Sequence, residues 1–252
     1  MPIELLNGKF ETFAFSGGEI HVRVTEHNPL SNIRAILKTP SDIMTLLLLA
    51  DALKRLNSII VSLEIPYFPY ARQDRVCNKG ESLAVKVMAD LINGIGAERV
   101  SVADPHSDVM CALINNCQVI NVYYSLKKLI GDKLIICPDA GAEKRISKLQ
   151  LPYVMATKVR DPMTGQILRT QLYDESGTVR DRACLIVDDI CDGGRTFTEL
   201  AKVLRDHGAA SVELYVTHGI FSKGLEVFKG LINNVYNYDY NTGEIICTRT
   251  ME

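Results

Sequence analysis

The sequence predicts an α/β protein built as two similar lobes, each a mostly parallel sheet flanked by helices. Short aliphatic runs alternate with amphipathic stretches along the whole chain, which is the order of repeated strand, helix, strand units. A weak internal repeat sharpens this: "MADLINGIGAERVSVADPH" (88–106) lies over "LAKVLRDHGAASVELYVTH" (200–218) without a gap. In each copy an apolar helix face ends at Gly-Ala, a strand follows and a histidine closes it. The repeat predicts lobes at residues 1–121 and 122–252, with the cleft between them as the natural binding place.

Taken in order, strands are predicted at Ala35–Lys38, Ile59–Ile65, Val100–Ala103, Leu134–Cys137, Ala183–Val187 and Val212–Val216, since short continuous apolar runs suit strands buried on both faces. Helical patterns fall between them at Ser41–Leu56, Ser82–Asn93, Ser107–Asn115, Ala142–Leu149 and Thr196–His207, with Ser41 as N-cap of the first. The most apolar stretch, "TLLLLADAL", meets Asp51, Lys54 and Arg55 well short of a membrane-spanning length. It is expected to be a buried amphipathic helix, and no membrane partner is expected.

Composition removes other classes. The 252 residues carry 28 Lys and Arg against 30 Asp and Glu, so there is no broad basic face for nucleic acid. Seven cysteines at scattered positions make neither a disulfide framework nor a CxxC pair, which points to a reducing, cytoplasmic setting. Cys111 and Cys117 lack the neighbours of a zinc site, and "MPIELLNGKF" has no signal-peptide pattern.

Chemistry concentrates in a few segments. "LIVDDICDGGRT" (185–196) places Asp188, Asp189 and Asp192 at the mouth of a buried strand. Gly193 and Gly194 then allow a tight turn that points amides inward before Thr196 opens a helix. Carboxylates suit sugar hydroxyls or magnesium and amides suit phosphate, so a ribose phosphate satisfies both. "PYFPYARQDR" (66–75) interleaves three aromatic rings with Arg72, Gln73, Asp74 and Arg75, which suits a base and a polyphosphate; a turn over a small aromatic cluster would read the same. "ADPHSD" (103–108) sets Asp104 and His106 to converge on one metal or phosphate, or simply starts a capped helix. "CPDAGAEKR" (137–145) offers Asp139, Gly141, Lys144 and Arg145 as a phosphate cradle with a magnesium ligand, or as an Asp-capped helix. "MATKVRDPMTGQIL" (155–168) puts Lys158 and Arg160 ahead of a loop with Pro162 and Gly165, either to close on a transferring phosphoryl group or as a plain β-hairpin. No GxxxxGK[ST] and no kinase HRD or DFG set occurs, so ATP, if used, is held in another way.

In this order, "FSGGEIHVRV", "YFPYARQDR", "DPHS", "CPDAGAEKR", "TKVR" and "VDDICDGG" resemble the ribose-phosphate diphosphokinases, or PRPP synthetases, over nearly the whole chain. The resemblance implies two phosphoribosyltransferase-like lobes, a homo-oligomer (hexamer or dimer), and transfer of the β,γ-diphosphoryl group of ATP to the 1-hydroxyl of ribose 5-phosphate with release of AMP. It further implies that Phe15 and Glu19 reach the adenine of ATP on a neighbouring subunit, and that Arg72, Gln73 and Asp74 hold ATP. Asp104, His106 and Asp139 would contact Mg2+ and the ATP phosphates, with His106, Lys158 and Arg160 catalytic. Asp188 and Asp189 would grip the ribose hydroxyls, and Asp192, Gly193, Gly194, Arg195 and Thr196 would wrap the 5-phosphate.

The sequence also departs from that family. Gly17 stands where members have Asp or Asn, which weakens the usual adenine contact. The phosphate loop usually reads D-T-G-G-T, so a hydroxyl is lost at Gly193 and a guanidinium gained at Arg195. The chain ends sooner after "THGIFSKG" than most relatives, which makes a trimmed second lobe and weaker nucleotide feedback the expectation. A more open loop suggests ADP-ribose as an alternative acceptor, giving a 1-diphosphate for NAD salvage, with ribose 5-phosphate ranked first. A phosphoribosyltransferase would not need "YFPYARQDR" or the Lys158 and Arg160 pair. A non-catalytic regulatory relative would have lost the acidic and cationic residues present here.

Overall fold

Parallel strands joined by helical crossovers make both halves of the chain in the computed structural model, which describes residues 2–160, 167–174 and 177–250. The chain divides into two compact units, Met1–Asn121 and Val122–Glu252. The first contains β1 (Ile3–Leu5), β2 (Lys9–Ala14), β3 (Ile20–Glu26), β4 (Leu30–Ala35), α1 (Pro40–Arg55), β5 (Ile59–Glu64), α2 (Ala84–Ile95), β6 (Val100–Ala103), α3 (Asp108–Leu113) and β7 (Cys117–Ile120). Its five-stranded sheet runs β1-β4-β5-β6-β7, and β2 and β3 form a separate hairpin. β1 pairs antiparallel to β4, and the remaining neighbours are parallel.

Two sequence expectations shift here. The strand expected at Ala35–Lys38 is instead β4, ending at Ala35, because Ile3 of β1 pairs with Ala35 and the chain then turns toward the next helix. That helix, α1, is capped by Thr39 and not Ser41. The Asp42 amide donates to Thr39 Oγ1 (3.2 Å) and the Thr39 amide donates to Asp42 Oδ2 (2.7 Å). This reciprocal box and a proline in the first helical turn fix the start one residue before Ser41. The apolar stretch then buries Leu46, Leu49, Ala50 and Leu53, spaced along one helix face. Each buried leucine stabilises the unit by about 1.5–3 kcal/mol.

The second unit contains α4 (Tyr123–Ile130), β8 (Leu134–Cys137), α5 (Ala140–Ser147), β9 (Tyr153–Arg160), β10 (Ile167–Leu172), β11 (Ala183–Cys191), α6 (Arg195–Asp206), β12 (Ser211–Gly219), β13 (Asn234–Asp239) and β14 (Glu244–Thr250). Its seven-stranded sheet runs β10-β9-β8-β11-β12-β13-β14. The outermost pairs, β10 with β9 and β13 with β14, are antiparallel, and the interior is parallel. β8 lies between β9 and β11, so the strand order reverses there and the β8/β11 boundary is a topological switch point. In open α/β sheets the carboxyl ends of the strands at such a point are where ligands bind.

The two repeat segments fold alike. α2 runs through Gly96 (φ +70°) into β6, and α6 runs past Gly208 (φ +85°) into β12; in both, a glycine takes the left-handed turn that lets the strand start. No helix among the described residues is long and apolar enough to cross a membrane. Among the described residues no cysteine is in a disulfide: Cys137, Cys184 and Cys191 are buried, Cys111 and Cys117 partly so, and Cys77 and Cys247 are exposed. Burial pushes the Cys137 thiol up to about 12 and the Cys184 thiol up to about 11.

Candidate functional site

β11 supplies the acidic cluster. Cys184 and Ile186 face one core of the second unit and Leu185 and Val187 the other, which is what a central strand with both faces covered requires. The strand does not end at Val187 as the sequence suggests. Its parallel ladder with β12 continues through Asp188 opposite Val216, Ile190 opposite His218 and Cys191 opposite Gly219. Asp188 and Asp189 are therefore strand residues, held by the sheet and not by a loop.

Their partner is Arg145 of α5. Its guanidinium lies 3.6 Å from Asp188 Oδ1 and 3.3 Å from Asp189 Oδ2, and all three side chains are at most 15% exposed. The Asp189 amide also donates to Asp188 Oδ1 (2.9 Å). Burial, then the neighbouring charge of Asp189, pushes the Asp188 carboxyl well above the usual carboxylate range, while Arg145 pulls it back. The sequence offered Arg145 as a phosphate cation; the structure spends it on the acidic pair.

After Cys191 the chain turns through Asp192, Gly193 and Gly194 into α6. Gly194 is the N-cap at φ +76°, and no side chain caps the helix. A Cβ on Gly194 would stand 2.8 Å from Phe228 Cζ, so only glycine fits there. Gly193 needs no left-handed backbone. The first-turn amides of α6, including those of Arg195 and Thr196, point out of the helix end as a ready anion site. Burial, followed by the charges of Asp188 and Asp192, pushes the Cys191 thiol up to about 12, so it is an inert wall of this site. Two expectations about this loop are corrected. Arg195 Nε pairs with Glu199 Oε1 at 2.7 Å, with the Arg195 side chain 79% exposed, an ordinary i,i+4 pair on the outer helix surface. The room expected at Gly193 extends only about one methyl group before it meets the stem of Lys223, whose Cε lies 3.5 Å from where a Cβ would be. The open, guanidinium-bearing loop that suggested ADP-ribose is thus not what the chain builds.

The loop after β8 flanks the same switch point. Asp139 Oδ1 accepts from the amides of Gly141 (3.0 Å) and Ala142 (3.2 Å) and is the N-cap of α5. The helix-cap alternative left open by the sequence is therefore realised.

In the first unit the candidate residues stand at the carboxyl ends of the neighbouring strands β5 and β6. Phe68 is buried at 3% exposure, so it serves the core and cannot stack on a base, whereas Tyr70 is exposed with φ +62°. Arg72 and Gln73 are exposed. Asp74 meets the "ADPHSD" segment. Burial works against its charge, but the facing Ser107 hydroxyl, Arg75 (Nε to Oδ1, 3.0 Å) and the His106 imidazole outweigh it, and the carboxylate is held below its usual value. Asp104 and His106 differ in setting: Asp104 is buried with φ +37°, and His106 is exposed. Among the described residues no three His, Cys, Asp or Glu side chains gather as a metal cage. Magnesium does not require one, since one or two carboxylates plus substrate phosphates hold it. Asp104 offers an oxygen donor of that kind, whereas the His106 imidazole suits a phosphate oxygen better.

Phe15 and Glu19 close the β2–β3 hairpin, with the Phe15 amide donating to Glu19 O (2.8 Å). Phe13 and Phe15 are 41% and 54% exposed and meet edge-on at 5.3 Å, with His21 against both. Gly17 has open space around it. Lys158 and Arg160 occupy β9, with Lys158 opposite Thr170 and Arg160 opposite Ile167 of β10, so a hairpin is present. Their side chains, and the Pro162 and Gly165 of the expected closing loop, lie outside the described residues.

Sequence reasoning missed Ser222 and Lys223. The loop after β12 is clasped to the loop after β11: the amides of Ile220 (2.9 Å) and Phe221 (3.1 Å) donate to Cys191 O, and that of Ser222 to Asp192 O (3.2 Å). Ser222 Oγ also donates to Asp192 Oδ1 (2.5 Å). The available signal was a cation between a strand end and a glycine in "THGIFSKG".

The family profile for the N-terminal domain of ribose phosphate pyrophosphokinase matches residues 3–96, and the phosphoribosyl transferase domain profile matches residues 126–235. Ribose-phosphate pyrophosphokinase 1 of Listeria monocytogenes is 31% identical over 231 residues, covering 85% of this chain and 71% of the relative. Ribose-phosphate pyrophosphokinase of Clostridium perfringens is 32% identical over 232 residues, covering 85% and 72%. The crystal structure of phosphoribosylpyrophosphate synthetase from Mycobacterium smegmatis superposes with a TM-score of 0.78 at 23% identity, over 91% of this chain and 80% of the other, a likeness of fold.

Proposed function

Since the chain belongs to the ribose-phosphate pyrophosphokinase family of transferases, we propose that it makes 5-phosphoribosyl 1-diphosphate and AMP from ATP and ribose 5-phosphate. The observation that carries this is the β8/β11 switch point. There an acidic pair stiffened by Arg145 stands beside the uncapped N-terminus of α6. A sugar phosphate uses both: hydroxyls donate to Asp188 and Asp189, and the phosphate accepts from the α6 amides. In the reaction the sugar O1 forms a bond to the β-phosphorus. The bond from that phosphorus to the oxygen bridging to the α-phosphorus breaks, AMP leaves with that oxygen, and the O1 proton passes to solvent.

Such a displacement needs alignment and charge neutralisation more than covalent help. The buried carboxylates orient the acceptor because the sheet fixes their backbone and Arg145 fixes their heads. Asp74, kept charged and paired with Arg75, stands in the segment that would hold ATP, with Arg72 and Gln73 exposed beside it. Magnesium brought with ATP, held by Asp104, would neutralise phosphate charge. The exposed Phe13, Phe15 and His21 cluster supports an adenine contact reaching to a neighbouring subunit of a homo-oligomer. Lys158 and Arg160 are assigned to the transferring group by family pattern.

AMP release from ATP and magnesium, with ribose 5-phosphate and ADP-ribose offered separately and the product identified by mass, tests this. Turnover with ribose 5-phosphate is expected. Turnover with ADP-ribose alone would replace the acceptor, and no AMP with either would sink the diphosphokinase assignment. Lys158→Ala and Arg160→Ala should each lower kcat about 100- to 1,000-fold while nucleotide binding persists.

A further inference from the structure

The α6 N-terminus needs a cation if it is to hold a phosphate dianion strongly, since charge-assisted bonds are roughly twice as strong as neutral ones. Arg195, the cation nearest in sequence, is turned outward onto Glu199. The residue that lies across the loop is Lys223. Its Cε, Cδ and Cγ pass 3.5, 3.6 and 3.9 Å from the position a Gly193 Cβ would occupy. These are ordinary contact distances for an added Cβ, so the stem runs beside Gly193 with room for a methyl group between them, and the ammonium extends one bond further.

The backbone around Lys223 is fixed. Ile220, Phe221 and Ser222 are tied in succession to Cys191 and Asp192, and Phe221 packs edge-on against Phe228 at 6.5 Å (85°), the ring that lies against Gly194. Lys223 follows directly on that clasp, so its stem is aimed by an anchored segment. Among the described residues its ammonium meets no carboxylate, and the side chain is exposed. A lysine carried by an anchored segment and left with an unpaired head is prepared for an anion from solvent.

We propose that Lys223 is the phosphate-binding cation of the acceptor site: running beside Gly193, it pairs with the phosphate monoester that the α6 amides receive. This rests on the acceptor reading given above. It assigns a specificity role to a residue outside the D-G-G-R-T segment.

The test compares Lys223→Met, which keeps an apolar stem and removes the charge, with Lys223→Arg and Arg195→Ala. Steady-state turnover with ATP, magnesium and ribose 5-phosphate is measured alongside calorimetric binding of ribose 5-phosphate and of inorganic phosphate. Lys223→Met should raise both KM and Kd for ribose 5-phosphate about tenfold, with kcat and the KM for ATP near wild type. Lys223→Arg should recover most of that loss, and Arg195→Ala should bind like wild type. Unchanged Kd in Lys223→Met, or a tenfold loss in Arg195→Ala instead, overturns the assignment. If the wild type neither turns over nor binds ribose 5-phosphate, the acceptor reading has failed, and inorganic phosphate then decides. Weaker phosphate binding by Lys223→Met than by wild type sustains the cation, and equal or absent binding by both refutes it.

Discussion

The second unit contains two strand-to-helix loops beside one switch point, and they treat their helices in opposite ways. After β8, Asp139 is itself the N-cap and its carboxylate takes the amides of Gly141 and Ala142. After β11, the corresponding acid, Asp192, stands two residues before the cap, and the cap is Gly194, which has no side chain to offer. α5 carries its own anion, while α6 waits for one. Both helix dipoles favour negative charge at that end, so a two-residue difference in where the aspartate falls separates a helix capped by its own carboxylate from one left uncapped. The closed helix also serves the open one, because Arg145 of α5 steadies the acids of β11.

Breaking that support should have the largest effect. Arg145→Leu leaves two buried carboxylates uncompensated and is expected to cost about 3–5 kcal/mol at pH 8. The loss should shrink as the pH is lowered, because the raised Asp188 carboxyl takes up a proton and sheds its charge, and urea denaturation across that range would show it. An equal loss throughout would mean that packing and not charge is what Arg145 provides. Closing the open helix comes next. Gly194→Ala imposes a left-handed alanine and a contact with Phe228 at 2.8 Å, for about 3 kcal/mol of destabilisation by the same assay. A normal melting curve would remove the argument that only glycine fits.

Asp139→Ala should cost about 1 kcal/mol as a lost cap. It also sharpens the comparison, because α5 would then have open amides and thermal stabilisation by inorganic phosphate should increase. No increase would mean that an open N-terminus alone does not recruit the anion in this setting. Asp188→Asn should change stability least, and its signature is pH. The folded-state pKa of Asp188 lies above its unfolded value, so its contribution is full below the ordinary carboxylate range, near about 4, and is lost as pH rises through the raised pKa. Asp188→Asn should flatten that fall; a wild-type profile without it would contradict the burial of this charge.

The acidic strand end was legible because its signal is local: an unbroken apolar run, then D-D, then D-G-G. Asp139 was legible as a residue but not as a role, since D-A-G-A reads equally as a cap or a cradle. The use of Arg145 was not legible, because its partners are on a strand remote in sequence and only the sheet brings them together. Lys223 was missed for the same reason, its loop being tied to Cys191 and Asp192 by backbone hydrogen bonds that leave no pattern in side chains. Among the elements, the parallel interior was readable from aliphatic runs. The outer strands β13 and β14 mix polar and apolar residues, as in "NVYNYD", because the sheet covers them less completely. Thr39 displaced Ser41 as the cap because Pro40 suits the first helical position and Asp42 completes the box.

The distribution of thiols has a use in the laboratory. Cys137, Cys184 and Cys191 are sealed in the interior with proton affinities that silence them near neutral pH, while Cys77 and Cys247 lie on the surface. One of these two belongs to each unit. A single maleimide dye mixture under brief labelling would therefore mark first Cys77, just past Arg72 and Arg75, and Cys247, on the closing strand of the other sheet. Each dye would then report on the unit that carries it, without a cysteine having to be engineered in.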